Sequence, residues 1–341
     1  MIEINDMPKV MGLFAGCGGL DLGFKNAGFE IVYANDKEKS VKQTYEFNLQ
    51  HEIQIEDICK VDKTKLPQVD VIIAGVPCQP FSSAGKRESV KTADGNLFLQ
   101  VLDTINNQTK LPKVVVFENV RGFLSSKDEN GLPIVERFSL EMEKIGYQTK
   151  YQLLNAADYG VPSNRYRVFV VCFLKSLEKD FVFPTSKLME HPITVGDVLN
   201  KKLPKDEEIE IWKLPPSSKQ MVPFIKEGGS WKDVPYEYLS DRHKRIHAEM
   251  KKYRSPNFYR RFSRKEVMGT ITATSSPENS GILHPLEDRR YSVREIARFQ
   301  SFPDDFKFIG NSTQSKYKMI GNAVPPRLAY EIAKAIKSQL F

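Results

Sequence analysis

Five short, almost unbroken apolar runs constrain this chain more than any other feature: Val10–Phe14, Ile31–Ala34, Val69–Ala74, Val114–Phe117 and Val168–Leu174. Strands that alternate apolar with polar residues face water on one side. Runs like these mark strands buried on both faces, as in parallel sheets covered by helices. Between them, Leu20–Ala27, Lys39–Phe47, Leu97–Asn106 and Ile134–Ile145 carry helical spacing. The alternation predicts an α/β fold, a doubly wound and mostly parallel sheet.

Near residue 185 the rhythm stops. From Pro184 to about Leu286 the chain is punctuated by Pro215-Pro216-Ser217-Ser218 and Gly228-Gly229-Ser230, and helical pattern returns only at Ser292–Phe299 and Pro326–Leu340. The expected organisation is one domain from residues 1–185 plus 312–341 and a second, smaller, irregular one from 186–311. No internal repeat or low-complexity tract is visible.

Composition narrows the class. The 341 residues are 40% hydrophobic and 27% charged, ordinary globular values that exclude wholesale disorder. The longest apolar run, Val168–Leu174, is far short of the roughly 18–20 residues of a membrane helix. Met1–Asp6 has neither a basic nor an apolar leader pattern, so no signal peptide and no membrane partner are expected. Cys17, Cys59, Cys78 and Cys172 show no ligand or disulfide spacing, which suits a reducing cytoplasm. His51, His191, His243, His247 and His284 form no ligand set; His243 and His247 read as surface residues in a basic stretch, and no metal is expected.

The chemistry gathers where strands end. The first runs into Phe14-Ala15-Gly16-Cys17-Gly18-Gly19, a turn that lets backbone approach a ligand closely before a helix begins. The second ends at Asn35-Asp36, where a carboxylate can accept from ribose hydroxyls, and Asp57 follows. The third opens into Gly75-Val76-Pro77-Cys78-Gln79-Pro80, which holds a cysteine on stiff backbone outside the ladder. Cys172, inside an apolar strand, reads as structural, whereas Cys78 reads as a nucleophile if partners converge on it. The fourth delivers Glu118-Asn119-Val120, and a glutamate there must be paired or protonated. Arg165-Tyr166-Arg167 precedes the fifth; its arginines, two apart on extended chain, are expected to face one cavity.

Together these residues resemble the DNA cytosine-C5 methyltransferase family, prokaryotic restriction–modification type. Six signatures occur in order: Phe14–Gly19, Gly75–Gln79, Glu118–Val120, Arg165–Arg167, Arg290–Gln300 and Lys318–Pro325. The resemblance implies a Rossmann-like fold with a target-recognition domain, and S-adenosylmethionine as cofactor, leaving as S-adenosylhomocysteine. It implies catalytic roles for Cys78 as the thiolate adding to cytosine C6, Glu118 at ring N3, Arg167 at O2 and Arg165 orienting Glu118 and the Cys78 loop. Cofactor contacts carry over to Phe14, Gly16, Gly18, Gly19, Asp36, Asp57, Ile58, Pro77, Leu97, Asn322 and Ala323. The chain departs from the family pattern at Gly12, usually Asp; at Asp36, usually Glu; at Lys37, often apolar; and at Ser163, commonly Gln.

Carbon 5 is inaccessible in a stacked duplex, so the base must be flipped out. The loop Ser82–Asn96, with Lys86 and Arg87, reads as a lid, and Ser82 as a phosphate contact. Between Arg242 and Lys265 ten basic residues face one acid, a local +9 against +7 for the chain, with Tyr253, Phe258, Tyr259 and Phe262 interleaved. This favours double-stranded DNA as partner. Arg260, Arg261 and Arg264 are expected on its backbone, and Thr270 and Thr272 belong to a recognition-domain element. The expected setting is a monomeric prokaryotic enzyme protecting DNA from a cognate restriction endonuclease. The alternatives are a tRNA-methylating relative, whose Cys-Phe-Thr tripeptide is absent from the middle segment, and an inactive DNA-binding relative, which Cys78, Glu118 and Arg167 argue against. A dinucleotide oxidoreductase would leave the Pro-Cys-Gln and Glu-Asn-Val strand ends unexplained.

Overall fold

The computed structural model describes residues 7–76, 97–128, 130–186, 192–202, 209–249, 257–277 and 280–341. Seven strands, β1 (Lys9–Leu13), β2 (Glu30–Asp36), β3 (Gln54–Ile55), β4 (Val71–Ala74), β5 (Val114–Val120), β6 (Tyr147–Asn155) and β7 (Tyr166–Leu174), form one sheet. Its order is β3-β2-β1-β4-β5-β7-β6. Pairing is parallel from β3 to β5, whereas β7 runs antiparallel to both of its neighbours.

The helices in chain order are α1 (Gly19–Asn26), α2 (Lys42–Leu49), α3 (Leu97–Asn106), α4 (Ile134–Lys144) and α5 (Val195–Leu199). They continue with α6 (Pro216–Lys219), α7 (Asp241–Glu249), α8 (Val293–Phe299), α9 (Thr313–Asn322) and α10 (Pro326–Leu340).

Two compact units divide the chain: Met1–Asn155 with Tyr166–Ser186 and Val324–Phe341, and Ala156–Arg165 with Lys187–Ala323. Contacts thus place α9 in the second unit, where the sequence expectation drew 312–341 with the first.

The first unit holds the sheet. Every residue of β4 is fully buried, as a strand covered on both faces requires. Met11, Leu13, Ile72, Val115 and Phe117 pack with Val101 and Ile105 of α3 and Phe138 and Met142 of α4. Elsewhere in the unit α1 packs against α10. Strand β6 escaped the sequence reading because Thr149–Gln152 is largely polar and exposed, the pattern of an edge strand wet on one side.

The second unit has a smaller core around Met221, Val222, Trp231, Phe258, Tyr259 and Leu283. Among its described residues only isolated bridges occur, so its loops need other hydrogen-bond partners. Buried guanidinium groups supply them. Arg261 donates to the carbonyls of Val222, His284 and Glu287; Arg290 to Trp212 and Lys213; Arg294 to Pro303 and Phe306; Arg298 to Lys201 and Lys202. A planar five-donor fork suits this, because it reaches two or three carbonyls at once.

Candidate active site

Strand β1 lies between β2 and β4, so the order reverses beside it. In open α/β sheets the crevice at the carboxyl ends of such strands is where ligands bind. The first unit places four sequence-predicted elements there: the glycine turn after β1, Asp36 at the end of β2, Gly75 after β4, and Glu118 in β5.

Phe14 leaves β1 with φ +55°, a left-handed conformation that costs a non-glycine residue roughly 1–2 kcal/mol. Gly16 and Gly18 follow at +56° and +89°. The turn is held by the Gly18 amide donating to the Ala15 carbonyl at 2.9 Å and the Gly16 amide donating to Asp36 Oδ2 at 2.8 Å. No atom of the described residues lies within 4 Å of the position a Gly16 side chain would take, so these residues leave the turn as a cradle with room above it. Burial raises the Asp36 carboxyl above its ordinary value, while amides of Gly16 and Glu38 donate to it. The Lys37 amide donates to it as well, and a carboxylate with about four acceptor sites keeps capacity for a ligand hydroxyl beyond these amides. Gly19 opens α1 and Leu97 opens α3. Ile58 is packed into the core, and the Asp57 carboxylate, accepting from the Cys59 amide at 3.0 Å, is held below its usual range.

Beneath this turn lies a group the sequence reading missed. Asp21, in the first turn of α1, is 1% exposed. Tyr45 donates to its Oδ1 at 2.9 Å, and its Oδ2 has no hydrogen-bond partner among the described residues. Burial pushes its carboxyl up to about 7. A Cβ at residue 12 would collide with Asp21 Oδ1. Gly12 is therefore glycine to make room for this carboxyl. The signal was available: a glycine in a buried strand marks a close approach.

Glu118 and Arg167 meet because of strand register. Glu118 stands opposite Phe169 in the β5–β7 ladder and Arg167 opposite Val120, so the two are diagonal neighbours on one face. Arg167 Nε lies 2.8 Å from Glu118 Oε1, and both side chains are about nine-tenths buried. A Cβ on Gly75 would stand 3.5 Å from the Phe14 carbonyl and 4.0 Å from Glu118 Oε2. Asn119 Nδ2 donates to the Val76 carbonyl at 3.4 Å. The chain entering Pro77 and Cys78 is thus fastened beside Glu118. Pro77, Cys78, Ser82, Lys86, Arg87 and the expected lid Ser82–Asn96 lie outside the described residues. Of the described thiols, Cys17 and Cys172 are buried, which pushes each up to about 12 and makes it a poor nucleophile.

Arg165 departs from expectation. It precedes β7, outside the ladder whose alternation would align it with Arg167. Its guanidinium, 1% exposed, donates from Nη1 to the Ile271 carbonyl at 2.8 Å and from Nη2 to the carbonyls of Gly321 and Ala323, each at 2.9 Å. Its partners among the second unit's residues make it a fastener of loops, whereas the side chain paired with Glu118 is Arg167.

In the second unit, Asn322 ends α9 exposed to solvent and Ala323 caps it. Thr270 Oγ1 donates to the Asn164 carbonyl at 2.6 Å, and the Thr272 hydroxyl meets those of Thr274 and Ser280. The three arginines expected on DNA differ sharply. Arg261, 3% exposed, turns its terminal nitrogens to three carbonyls and Asp288, and this burial leaves no surface for a phosphate. Arg260 pairs with Glu266. Arg264, exposed, pairs with Glu227 through two nitrogens. His243 is also not the surface residue expected: it is 2% exposed, 2.6 Å from Ser240 Oγ and edge-on to Phe258 and Tyr259. Among the described residues no three His, Cys, Asp or Glu side chains are grouped to hold a metal, and no helix is long and apolar enough to cross a membrane.

The model of the C-5 cytosine-specific DNA methylase family matches residues 8–338. The chain belongs to that family. The enzyme is accordingly a DNA cytosine-5-methyltransferase. It is 34% identical over 342 residues to a Type II methyltransferase of Neisseria gonorrhoeae, covering 97% of this chain and 87% of that one. To a Type II methyltransferase of Fusobacterium nucleatum it is 35% identical over 343 residues, covering 97% and 95%. The solved structure of an Entamoeba histolytica methyltransferase shares the fold at TM-score 0.69 and 15% identity, over 99% of this chain and 100% of that one.

Proposed function

We propose that the enzyme transfers a methyl group from S-adenosylmethionine to C5 of a cytosine flipped out of a specific duplex sequence, through a covalent adduct between Cys78 and C6. The observation that carries this reading is the Glu118–Arg167 pair at 2.8 Å beside Gly75 and Phe14, three chain segments before a cofactor cradle and two residues from the sequence Pro77-Cys78.

C5 of cytosine is a weak nucleophile. The Cys78 thiolate adds to C6, and Glu118, in its protonated form, donates to N3, so the charge of the addition is neutralised and C5 becomes enamine-like. Arg167 holds O2 from the same face of the ladder. When bound, S-adenosylmethionine supplies an electrophilic methyl on its sulfonium, and S-adenosylhomocysteine leaves. Loss of the C5 proton to a base then expels the Cys78 thiolate and restores the ring.

The residues present fit that cofactor. Phe14, Gly16, Gly18 and Gly19 form the cradle, Asp36 takes the ribose hydroxyls, and Asp57, Ile58, Pro77, Leu97, Asn322 and Ala323 complete the set. Residues 186–311 serve as the target-recognition region. Double-stranded DNA is contacted by Ser82, Lys86 and Arg87 of the loop after Cys78, and by Arg260, Arg264, Thr270 and Thr272. The biological setting is restriction–modification in a prokaryotic cytoplasm, with a cognate endonuclease as functional partner and a monomer as the working form.

The decisive experiment is bisulfite sequencing of DNA from cells expressing the enzyme. Protection of cytosine in one sequence context is expected, with none from Cys78→Ser. A Cys78→Ser enzyme that methylates at the wild-type rate, or wild-type enzyme that methylates tRNA and not duplex DNA, overturns the reading.

A further inference from the structure

Among the described residues of the second unit, the most heavily buried arginine or lysine, Arg165, joins two segments assigned above to different ligands. Ile271 lies between Thr270 and Thr272, assigned above to DNA, and Gly321 and Ala323 flank Asn322, assigned to the cofactor. One guanidinium holds both, by 2.8 and 2.9 Å hydrogen bonds. Its own segment is fixed as well. Ser163 Oγ donates to the Phe299 carbonyl at 2.8 Å, and the Asn164 amide donates to the Met268 carbonyl at 2.8 Å. Nor is there slack between the two segments. A Cβ on Gly321 would collide with the Thr272 carbonyl and come within 2.6 Å of Ala273 Cα. Packing this close transmits a displacement, because it cannot absorb one.

From this junction we infer that Arg165 is a positioning residue that couples DNA occupancy of the Thr270–Thr272 segment to cofactor affinity at Asn322. The inference rests on the assignments of those two segments made above. A rigid fork is needed to hold carbonyls of both segments in one plane; a lysine ammonium on a flexible stem keeps the charge and loses that geometry. Energetic coupling of this kind is reciprocal, so it is read as a ratio of affinities.

The test measures the S-adenosylmethionine Kd of full-length enzyme without DNA and with its cognate duplex, by titration calorimetry. In the wild type the duplex tightens cofactor binding by about 5–150-fold, the range of ordinary allosteric couplings. In Arg165→Lys the ratio falls to within about twofold of one. Gly321→Ala, which wedges the same junction apart while keeping the Arg165 side chain itself, lowers the ratio too. A ratio unchanged in both variants overturns the inference, as does a wild-type ratio of one. Equal weakening with and without DNA also overturns it, because that is the mark of a merely structural arginine. Asn322→Ala separates the two levels: unaltered cofactor affinity there refutes the Asn322 assignment, whereas weakened affinity with an unchanged Arg165→Lys ratio refutes the coupling alone.

Discussion

The two units treat buried charge in opposite ways. In the sheet unit the buried or half-buried ionisable groups near the carboxyl ends of the strands are, among the described residues, mainly acids: Asp21 in α1, Asp36 and Glu118, set against one arginine, Arg167. Among the described residues of the irregular unit they are mainly arginines: Arg165, Arg261, Arg290, Arg294 and Arg298, all donating to backbone carbonyls, with Glu295, His243 and His284 buried as well. The difference follows from secondary structure. A sheet satisfies its own carbonyls, so a charge at its edge is free to serve a ligand. A unit built from loops leaves carbonyls orphaned, and guanidinium forks take the place of the ladder. On the proposed function, buried charge serves chemistry in the first unit, whereas in the second it ties loops together.

The sharpest challenge to that contrast is Glu118→Gln. It should lower turnover about 10²–10⁴-fold while leaving the denaturation midpoint near that of the wild type. A large loss of stability with normal turnover would show Glu118 to be structural.

Arg261→Met should do the reverse, costing about 3–5 kcal/mol in denaturant unfolding, since three carbonyls and Asp288 lose their donor. A variant as stable as the wild type would remove arginine fastening from the account.

Asp21→Asn probes a buried acid by pH. The folded carboxyl titrates at about 7 against 3.8 for the unconstrained group, so between these values the native state holds a proton that the unfolded chain has lost. Stability therefore falls as pH rises from about 4 to 7, by an amount on the order of 2–4 kcal/mol, and the cost is complete above 7. The asparagine variant should lack that decline. Parallel stability–pH curves for the two proteins would show that Asp21 does not titrate there.

Smallest of all is Arg264→Ala. Its ion pair with Glu227 is exposed, and the melting curve should not move. If Arg264 meets a phosphate, the slope of log affinity against log salt should flatten by about 0.9. An unchanged slope removes it from the DNA surface.

Much of the fold was legible because its causes are local. Apolar runs such as Val71–Ala74 and Val114–Phe117 could only be doubly covered strands, and the glycine turn after β1 fell where a strand meets a helix. The positions of Asp36 and Glu118 toward strand ends followed from the same pattern. Edge strand β6 was not legible, because its composition reflects one wet face more than its pairing.

What only the tertiary structure decided is which partner each charge meets. Arg165 and Arg167, two residues apart, read as a pair, and the register of β5 against β7 set Arg167 beside Glu118. Arg261 and Arg264 read alike within one basic stretch, and burial made the first a staple and left the second in solvent. Asp21 went unread in the sequence, and the missing side chain of Gly12 proved to be its space. Hydrophobic period is a property of neighbours in the chain and survives in the sequence. Hydrogen-bond partnership across 100 or more residues, as between Arg165 and Ile271 or Gly321, depends on where the loops come to rest, and only the packed chain determines that.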